Sequence, residues 1–164
     1  MQTKRKTMIV AGATKGIGAG VTKAFIGRGY NGVANSLNIT AFSFAAMDRL
    51  AVVRRDVGDP SSAHEIALMA IETDGSIDAV LRNGGVFFSK PSTEYKPQDF
   101  EKHNASLAMV EKGGRDAIRR SLAMEYAKEN MRFNAVAPGV VNTPMADPLA
   151  RAELAQTFGR TLGH

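Results

Sequence analysis

The stretch Ala11-Gly12-Ala13-Thr14-Lys15-Gly16-Ile17-Gly18 decides how this chain reads. Before it, Thr7–Ala11 (TMIVA) is a short apolar run that stops at Gly12, the pattern of a strand buried on both faces of a parallel sheet. After it, residues 16–28 place Ile17, Val21, Ala24 and Phe25 on one helical face, and Gly27 and Gly29 supply a stop. A turn between such a strand and such a helix aims free N–H groups, and the positive end of the helix dipole, at the strand ends. That is an anion site suited to a pyrophosphate. Glycine at 12, 16 and 18 keeps Cβ atoms out of the approach. The spacing is G-x3-G-x-G; it differs from G-x-G-x-x-G and lacks the G-K-[ST] ending of an ATP-type phosphate loop.

Working outward, residues 32–35 (GVAN) predict a second strand and 51–53 a third, while 37–50 holds Phe42, Phe44 and Met47 with no clean period. Asp59-Pro60 opens a helix to about Thr73, with Ile66, Met69, Ala70 and Thr73 on its inner face and Gly75 at its end. Residues 77–81 (IDAVL) predict a fourth strand, stopped by Asn83-Gly84-Gly85. Past Pro91 and Pro97 a helix begins at 99–102, and Gly113-Gly114 interrupts or restarts it. A helix is expected over 115–130, with Ile118, Leu122 and Tyr126 in line. A fifth strand follows over 132–137, closed by Pro138-Gly139, and then a terminal helix over 147–158. Strands alternating with helices indicate an α/β fold with a parallel sheet, right-handed crossovers and ligands at the carboxyl ends of the strands.

The 164 residues suit one domain, 1–164, with a real core. An apolar share of 44% with 23% charged residues argues against disorder. Without cysteine there is no disulfide, thiolate metal site or cysteine nucleophile. No apolar run approaches the length of a membrane span. A net charge of +5 favours anionic ligands without choosing among them. Lys4-Arg5-Lys6 ahead of residues 8–13 imitates a signal peptide, but the apolar stretch is short and Lys15 interrupts it. A cytoplasmic location is the expectation.

These motifs together resemble the short-chain dehydrogenases/reductases. AGATKGIG is similar to their TGxxxGIG cofactor motif, with Ala11 where threonine is usual. Asp56-Val57 resembles the family's acidic residue after the third strand, which contacts adenine, and Arg82-Asn83-Gly84-Gly85 resembles the Asn-Asn-Ala-Gly motif after the fourth. Pro138-Gly139-Val140-Val141-Asn142-Thr143 resembles the late Pro-Gly-xxx-Thr loop near the nicotinamide. Residues 121–136 read like the family's long helix and following strand. The resemblance implies a Rossmann-like doubly wound parallel sheet and a cofactor of the NAD(P) type. It implies cofactor contacts from Gly12, Thr14, Lys15, Gly16, Ile17, Gly18, Ser36, Asp56, Val57, Asn83, Gly84, Pro138, Gly139 and Thr143. A carboxylate at the end of the second strand would bond the ribose 2′-OH. This chain has Asn35-Ser36-Leu37 there, and Lys15 is a cation where the family's NADP users hold the 2′-phosphate, so NADP is expected before NAD.

In the family's chemistry, a tyrosine exchanges the proton, a lysine four residues on lowers its pKa, a serine polarises the carbonyl and a helix asparagine orders a water. Lys112 stands where the catalytic lysine is expected, but Ala108 precedes it where the tyrosine belongs. No strand of the Ile-Val-xx-Ser-Ser type lies between Gly85 and Lys112, and Leu107 occupies the expected place of the asparagine, three residues after Asn104. The chain therefore resembles an internally shortened member that lacks a block starting near Ala105, together with the family's last strand. A right-handed crossover through the remaining helix would leave five strands in the order 3-2-1-4-5. The alternative is an open sheet edge that pairs with another chain.

Other candidates have plainer readings. Tyr126 lies on the apolar stripe and reads as core or interface, while Tyr95 is a candidate substitute acid. His64, His103 and His164 have no ligand spacing, so no metal is expected. Ser89 and Ser92 read as turn formers. Arg115, Arg119 and Arg120 read as a solvated face paired with Glu125 and Glu129. Three functions follow in order. The first is an NADP-dependent oxidoreductase acting on a small carbonyl or alcohol, with Lys112 orienting the cofactor. The second is a catalytically inactive dinucleotide-binding module, and the third a basic nucleic-acid-binding protein. No nucleic-acid motif supports the third, and neither a nucleic-acid nor a membrane partner is expected. A homo-oligomer stays open.

Overall fold

The computed structural model describes residues 5–40, 44, 47–85, 108–136, 138, 141, 143 and 144. They fall into two compact units, one formed by the chain up to Gly84 with 142 onward, the other by 85–141.

In the first unit the elements run β1 (Thr7–Ala11), α1 (Gly16–Gly27), β2 (Asn31–Asn35), β3 (Leu50–Val53), α2 (Pro60–Asp74) and β4 (Ala79–Arg82). All strand pairs are parallel, in the order β3-β2-β1-β4. The chain winds outward from β1 in one direction through β2 and β3, and then returns to β1's other side as β4. This reversal leaves a crevice at the carboxyl ends of β1 and β4.

The apolar run of β1 is explained by burial on both faces. Met8 and Val10 join Ala34, Ile26, Ile39 and Phe44 on one side of the sheet. Ile9 joins Val33, Val53, Ile66 and Ala70 on the other. The period of two along β1 thus feeds two separate cores.

Helix α1 buries a face next to the expected one, and α2 buries part of its expected face, Ile66 and Ala70, together with Ser62. In α1 the buried line is Gly18, Thr22 and Ile26, while Ile17 and Ala24 are exposed and Val21 and Phe25 half-buried. Small residues bring this helix close to the strands, and Thr22 satisfies its own buried hydroxyl by donating to the Gly18 carbonyl at 2.8 Å. In α2 the buried line is Ser62, Ile66 and Ala70, and Met69 and Thr73 face outward. In both cases a polar side chain takes a core position that a hydrophobicity count gives to its neighbour.

The fourth strand begins at Ala79, two residues later than expected. Asp78 instead accepts the Thr7 N–H at 2.8 Å, closing the start of β1. The expected fifth strand is not seen over 131–136, and among the described residues β4 has β1 as its one strand partner. Its Val80 is 67% exposed.

In the second unit α3 (Ala108–Glu125) runs through Gly113-Gly114 without a break. Two glycines cost a helix roughly 2 kcal/mol, which the rest of an 18-residue helix offsets. The helix stops short of the expected residue 130. A short 3-10 turn over Ala127–Glu129 follows, and Asn130 ends it in the left-handed region at φ 57°. Tyr126 meets Phe133 with ring centroids 6.1 Å apart. Arg119 and Arg120 do form an ion-paired face, but their shared partner is Asp116, one helical turn back, rather than Glu125 or Glu129. Both guanidiniums hold its carboxyl below the usual range, Arg119 most strongly. The helix expected at 99–102, Tyr95 and the terminal helix over 147–158 lie outside the described residues.

Candidate functional site

The glycine-rich turn is built against the ends of three strands. The last carbonyl of β2, on Asn35, accepts from the Gly12 N–H at 2.8 Å and from the Ala13 N–H at 3.0 Å. On the other side, the Asn83 side chain just past β4 donates from Nδ2 to the Gly12 carbonyl at 3.2 Å. The Asn83 N–H also bonds the Ala11 carbonyl at 3.2 Å, extending the ladder between β1 and β4. The turn is thereby stretched between β2 and β4, directly over β1.

The glycines have nearer reasons than ligand approach. A Cβ on Gly12 would stand 2.5 Å from the Cα of Gly84, and the residue sits at φ +75°. A Cβ on Gly18 would strike the Gly12 carbonyl oxygen and come within 2.8 Å of Asn83 Nδ2. Only at Gly16, at φ +58°, is the neighbour a flexible side chain, the Thr143 methyl at 3.2 Å. The sequence argument that glycine leaves room for a phosphate is therefore incomplete. Glycines 12 and 18 are required by protein packing, and that packing holds the turn open.

The two helix starts in this unit contrast. At α2 the Asp59 side chain accepts the Ser61 N–H at 2.9 Å, a conventional cap. That bond, with a second from the Ser61 hydroxyl, holds the Asp59 carboxyl below its usual range. At α1 the capping position is Lys15, which makes no side-chain cap, and the first turn carries no acid. The N–H groups of α1 thus open onto the crevice beside an exposed lysine. Among the described residues, two buried oxygens at this end of the sheet, Thr14 Oγ1 and Asn35 Oδ1, have no partner. The open N–H groups, the lysine and the Thr14 hydroxyl can all donate, which fits a phosphate-bearing nucleotide; the Asn35 oxygen can only accept.

Beyond the turn, Asn35 is fully buried and ties β2 to β3 by donating to the carbonyls of Val53 at 3.0 Å and Arg55 at 3.1 Å. Asp56 closes a tight turn by accepting the Gly58 N–H at 2.8 Å. Exposed Val57 lies next to Gly84. The structure thus gathers Gly12, Thr14, Lys15, Gly16, Ile17, Gly18, Ser36, Asp56, Val57, Asn83, Gly84 and Thr143 in one unit at the carboxyl ends of the strands. Lys112, within α3, and Pro138 belong to the other unit, and Gly139 lies outside the described residues. Sequence reading missed two members of this end of the sheet. Asn35 was read only as a non-acidic residue, and Arg54, whose Nε donates to the Leu37 carbonyl at 2.8 Å, gave no sequence signal. Among the described residues no group of three or more acids or histidines is placed to hold a metal ion. Nor is any helix among them long and apolar enough to cross a membrane.

A family model described as short chain dehydrogenase matches residues 6–106. The chain belongs to the short-chain dehydrogenase family. A second model, described as enoyl-(acyl carrier protein) reductase, matches residues 102–161. Among curated proteins, this family member is 27% identical to oxidoreductase UcpA of Salmonella typhimurium, over 89% of this chain and 73% of UcpA. That match spans 192 residues, whereas 89% of this 164-residue chain is about 146, so this chain is shorter by roughly 46 residues in the matched span. Among solved structures, 4-hydroxyisoleucine dehydrogenase complexed with NADH superposes with a TM-score of 0.76 at 17% identity, over 93% of this chain and 82% of that one. A variant of ElxO with NADPH bound gives a TM-score of 0.71 at 20% identity, over 93% and 79%. These likenesses confirm the Rossmann-like fold.

Proposed function

We propose that this chain binds a nicotinamide dinucleotide, NADP(H) before NAD(H), and exchanges hydride between it and a small carbonyl or alcohol substrate. The observation that carries the reading is the uncapped start of α1 beside Lys15, under a turn pinned to Asn35 and Asn83. Two solved neighbours hold NADH and NADPH, which supports the cofactor class. The absence of a carboxylate over residues 35–37, together with the solvated Lys15, favours the 2′-phosphorylated form.

When bound, the reduced nicotinamide supplies the hydride. The chain's residues supply the rest. The N–H groups at the start of α1, with Gly16 and Thr14, bind the pyrophosphate. Asp56 and Val57 border the adenine, and Asn83 and Gly84 hold the floor beneath the sugar. Thr143 serves the nicotinamide end, as the family resemblance implies. With Ala108 in the tyrosine's place, the proton comes from another group.

A second reading, dinucleotide binding without turnover, is favoured by Ala108 and by the shortened span relative to UcpA. One experiment separates the two. NADPH and NADH are titrated against the purified chain, following nicotinamide fluorescence and thermal stability, and NADPH oxidation is then measured with a panel of aldehydes and ketones. Tight binding with turnover supports the first reading, and tight binding without turnover the second. No binding by a folded chain refutes both.

A further inference from the structure

We propose that Arg54, carried on the end of β3 rather than β2, reads the ribose 2′-phosphate in this chain. The inference rests on the NADP(H) reading above and names the group that makes the choice. In a doubly wound nucleotide fold the adenosine ribose falls beside the end of the second strand, where an acid selects NAD and a nearby arginine admits NADP. Here Ser36 and Leu37 leave that strand with neither charge. The neighbouring strand provides it. β2 and β3 run parallel with Asn35 opposite Val53, so residues 36–37 and 54–55 emerge side by side.

From there Arg54 reaches across the strand end, and its Nε donates to the Leu37 carbonyl at 2.8 Å. This bond holds the guanidinium against the 36–37 segment. It spends one of five donors on the backbone, and no carboxylate among the described residues pairs with the remainder. The next residue behaves differently. Arg55 places its Nε 2.6 Å from Glu65 Oε2, so its charge is already met. Of two adjacent arginines, one is neutralised by a helix acid and the other is left charged, solvated and tethered at the ribose end of the crevice. A tethered planar fork is well suited to a phosphate dianion, because little freedom remains to be lost on binding. The glycine-rich turn adjoins the same strand end through its bonds to the Asn35 carbonyl, and it carries Lys15. The two cations thus come from different elements that meet at the end of β2.

The test uses binding, not turnover. Dissociation constants for NADPH and NADH are measured by nicotinamide fluorescence for the unaltered chain, Arg54→Gln, Arg54→Lys, Arg55→Gln and Lys15→Gln. Thermal shifts with adenosine 2′,5′-bisphosphate and with AMP are recorded in parallel. Arg54→Gln is expected to weaken NADPH by about tenfold or more, the loss of a charge-assisted hydrogen bond, and to leave NADH within about twofold. Arg54→Lys falls between, and Arg55→Gln changes neither. The thermal shift given by the bisphosphate shrinks in Arg54→Gln, while that of AMP does not. If the unaltered chain prefers NADPH but Arg54→Gln keeps the preference, Arg54 is refuted and the NADP(H) reading survives on Lys15. Equal losses for both cofactors also refute it, because Arg54 would then only shape the site. An unaltered chain with no preference for NADPH overturns both proposals. Should Arg54→Gln fail to fold, Arg54→Lys decides, since an unchanged NADPH-to-NADH ratio in that variant counts against a bidentate contact.

Discussion

Substituting alanine at Gly18 and at Gly20, two residues apart in one helix, should move stability in opposite directions. At an exposed interior site, glycine to alanine stabilises a helix by about 1 kcal/mol through backbone entropy. Gly20 meets this condition, because nothing lies within 4 Å of where its Cβ would stand. At Gly18 the added carbon would strike the Gly12 carbonyl oxygen and press on Asn83 Nδ2 at 2.8 Å. Both neighbours belong to backbone or to a side chain already engaged, so α1 must move away from the turn. Overpacking of this kind costs about 1–3 kcal/mol, and the Asn83 bond to Gly12 is worth about 1 more. Setting the propensity gain against these costs leaves Gly18→Ala destabilised by roughly 1–3 kcal/mol. In a domain of this size each kcal/mol moves Tm by about 2–4 °C. Gly18→Ala should melt roughly 2–12 °C lower, and Gly20→Ala a few degrees higher. Thermal melts followed by far-ultraviolet circular dichroism measure both. A Gly18→Ala variant as stable as Gly20→Ala would refute the account of the turn as a packed contact between α1, β1 and β4.

Asn35→Ala removes two donors, leaving the Val53 carbonyl with the Ser36 N–H at 3.4 Å alone and the Arg55 carbonyl to solvent, so a loss of about 1–3 kcal/mol is expected in urea unfolding. Asn83→Ala should weaken NADPH and NADH by the same factor, since it loosens the turn and touches no 2′-phosphate; a selective effect in titration would contradict this. Asp59→Ala should lower Tm at neutral pH, with the difference from the unaltered chain shrinking in acid. The sign follows from the depressed pKa of Asp59 in the fold. Its contribution is complete above the unfolded carboxylate pKa near 4 and is lost as pH falls through the lower folded value. Asp116→Asn should show the same acid-side pattern, and raised salt should shrink its effect, because the pair with Arg120 is exposed and Arg119 is only half-buried.

The sheet and its site were legible in the sequence wherever the signal was local. The strand of residues 7–11, the turn of 11–18 and the proline-led start of α2 depend on neighbours a few positions away, and β1 matches its expected bounds. The glycine, asparagine and threonine motifs could be read as one site because a doubly wound sheet brings its strand ends to one edge. Helix faces were less legible. Thr22 is buried with its hydroxyl bonded locally to the Gly18 carbonyl, Ser62 is buried in line with Ile66 and Ala70, and no hydrophobic pattern encodes either.

By itself the chain determined the α/β class, the parallel order of the first strands, the glycine-rich turn and the family. Each of these is carried by residue types at short, ordered spacings. Only the tertiary structure decided why Gly12 and Gly18 are glycine, which face of α1 is buried, and that α3 runs through two glycines. The first of these depends on β4 returning beside β1, a contact between positions 71 residues apart in the Asn83 bond to Gly12. Arg54 is the sharpest case. Its bond to Leu37 spans 17 residues and exists only because β2 and β3 end in register, so a residue without any motif becomes the cation at the ribose end of the site.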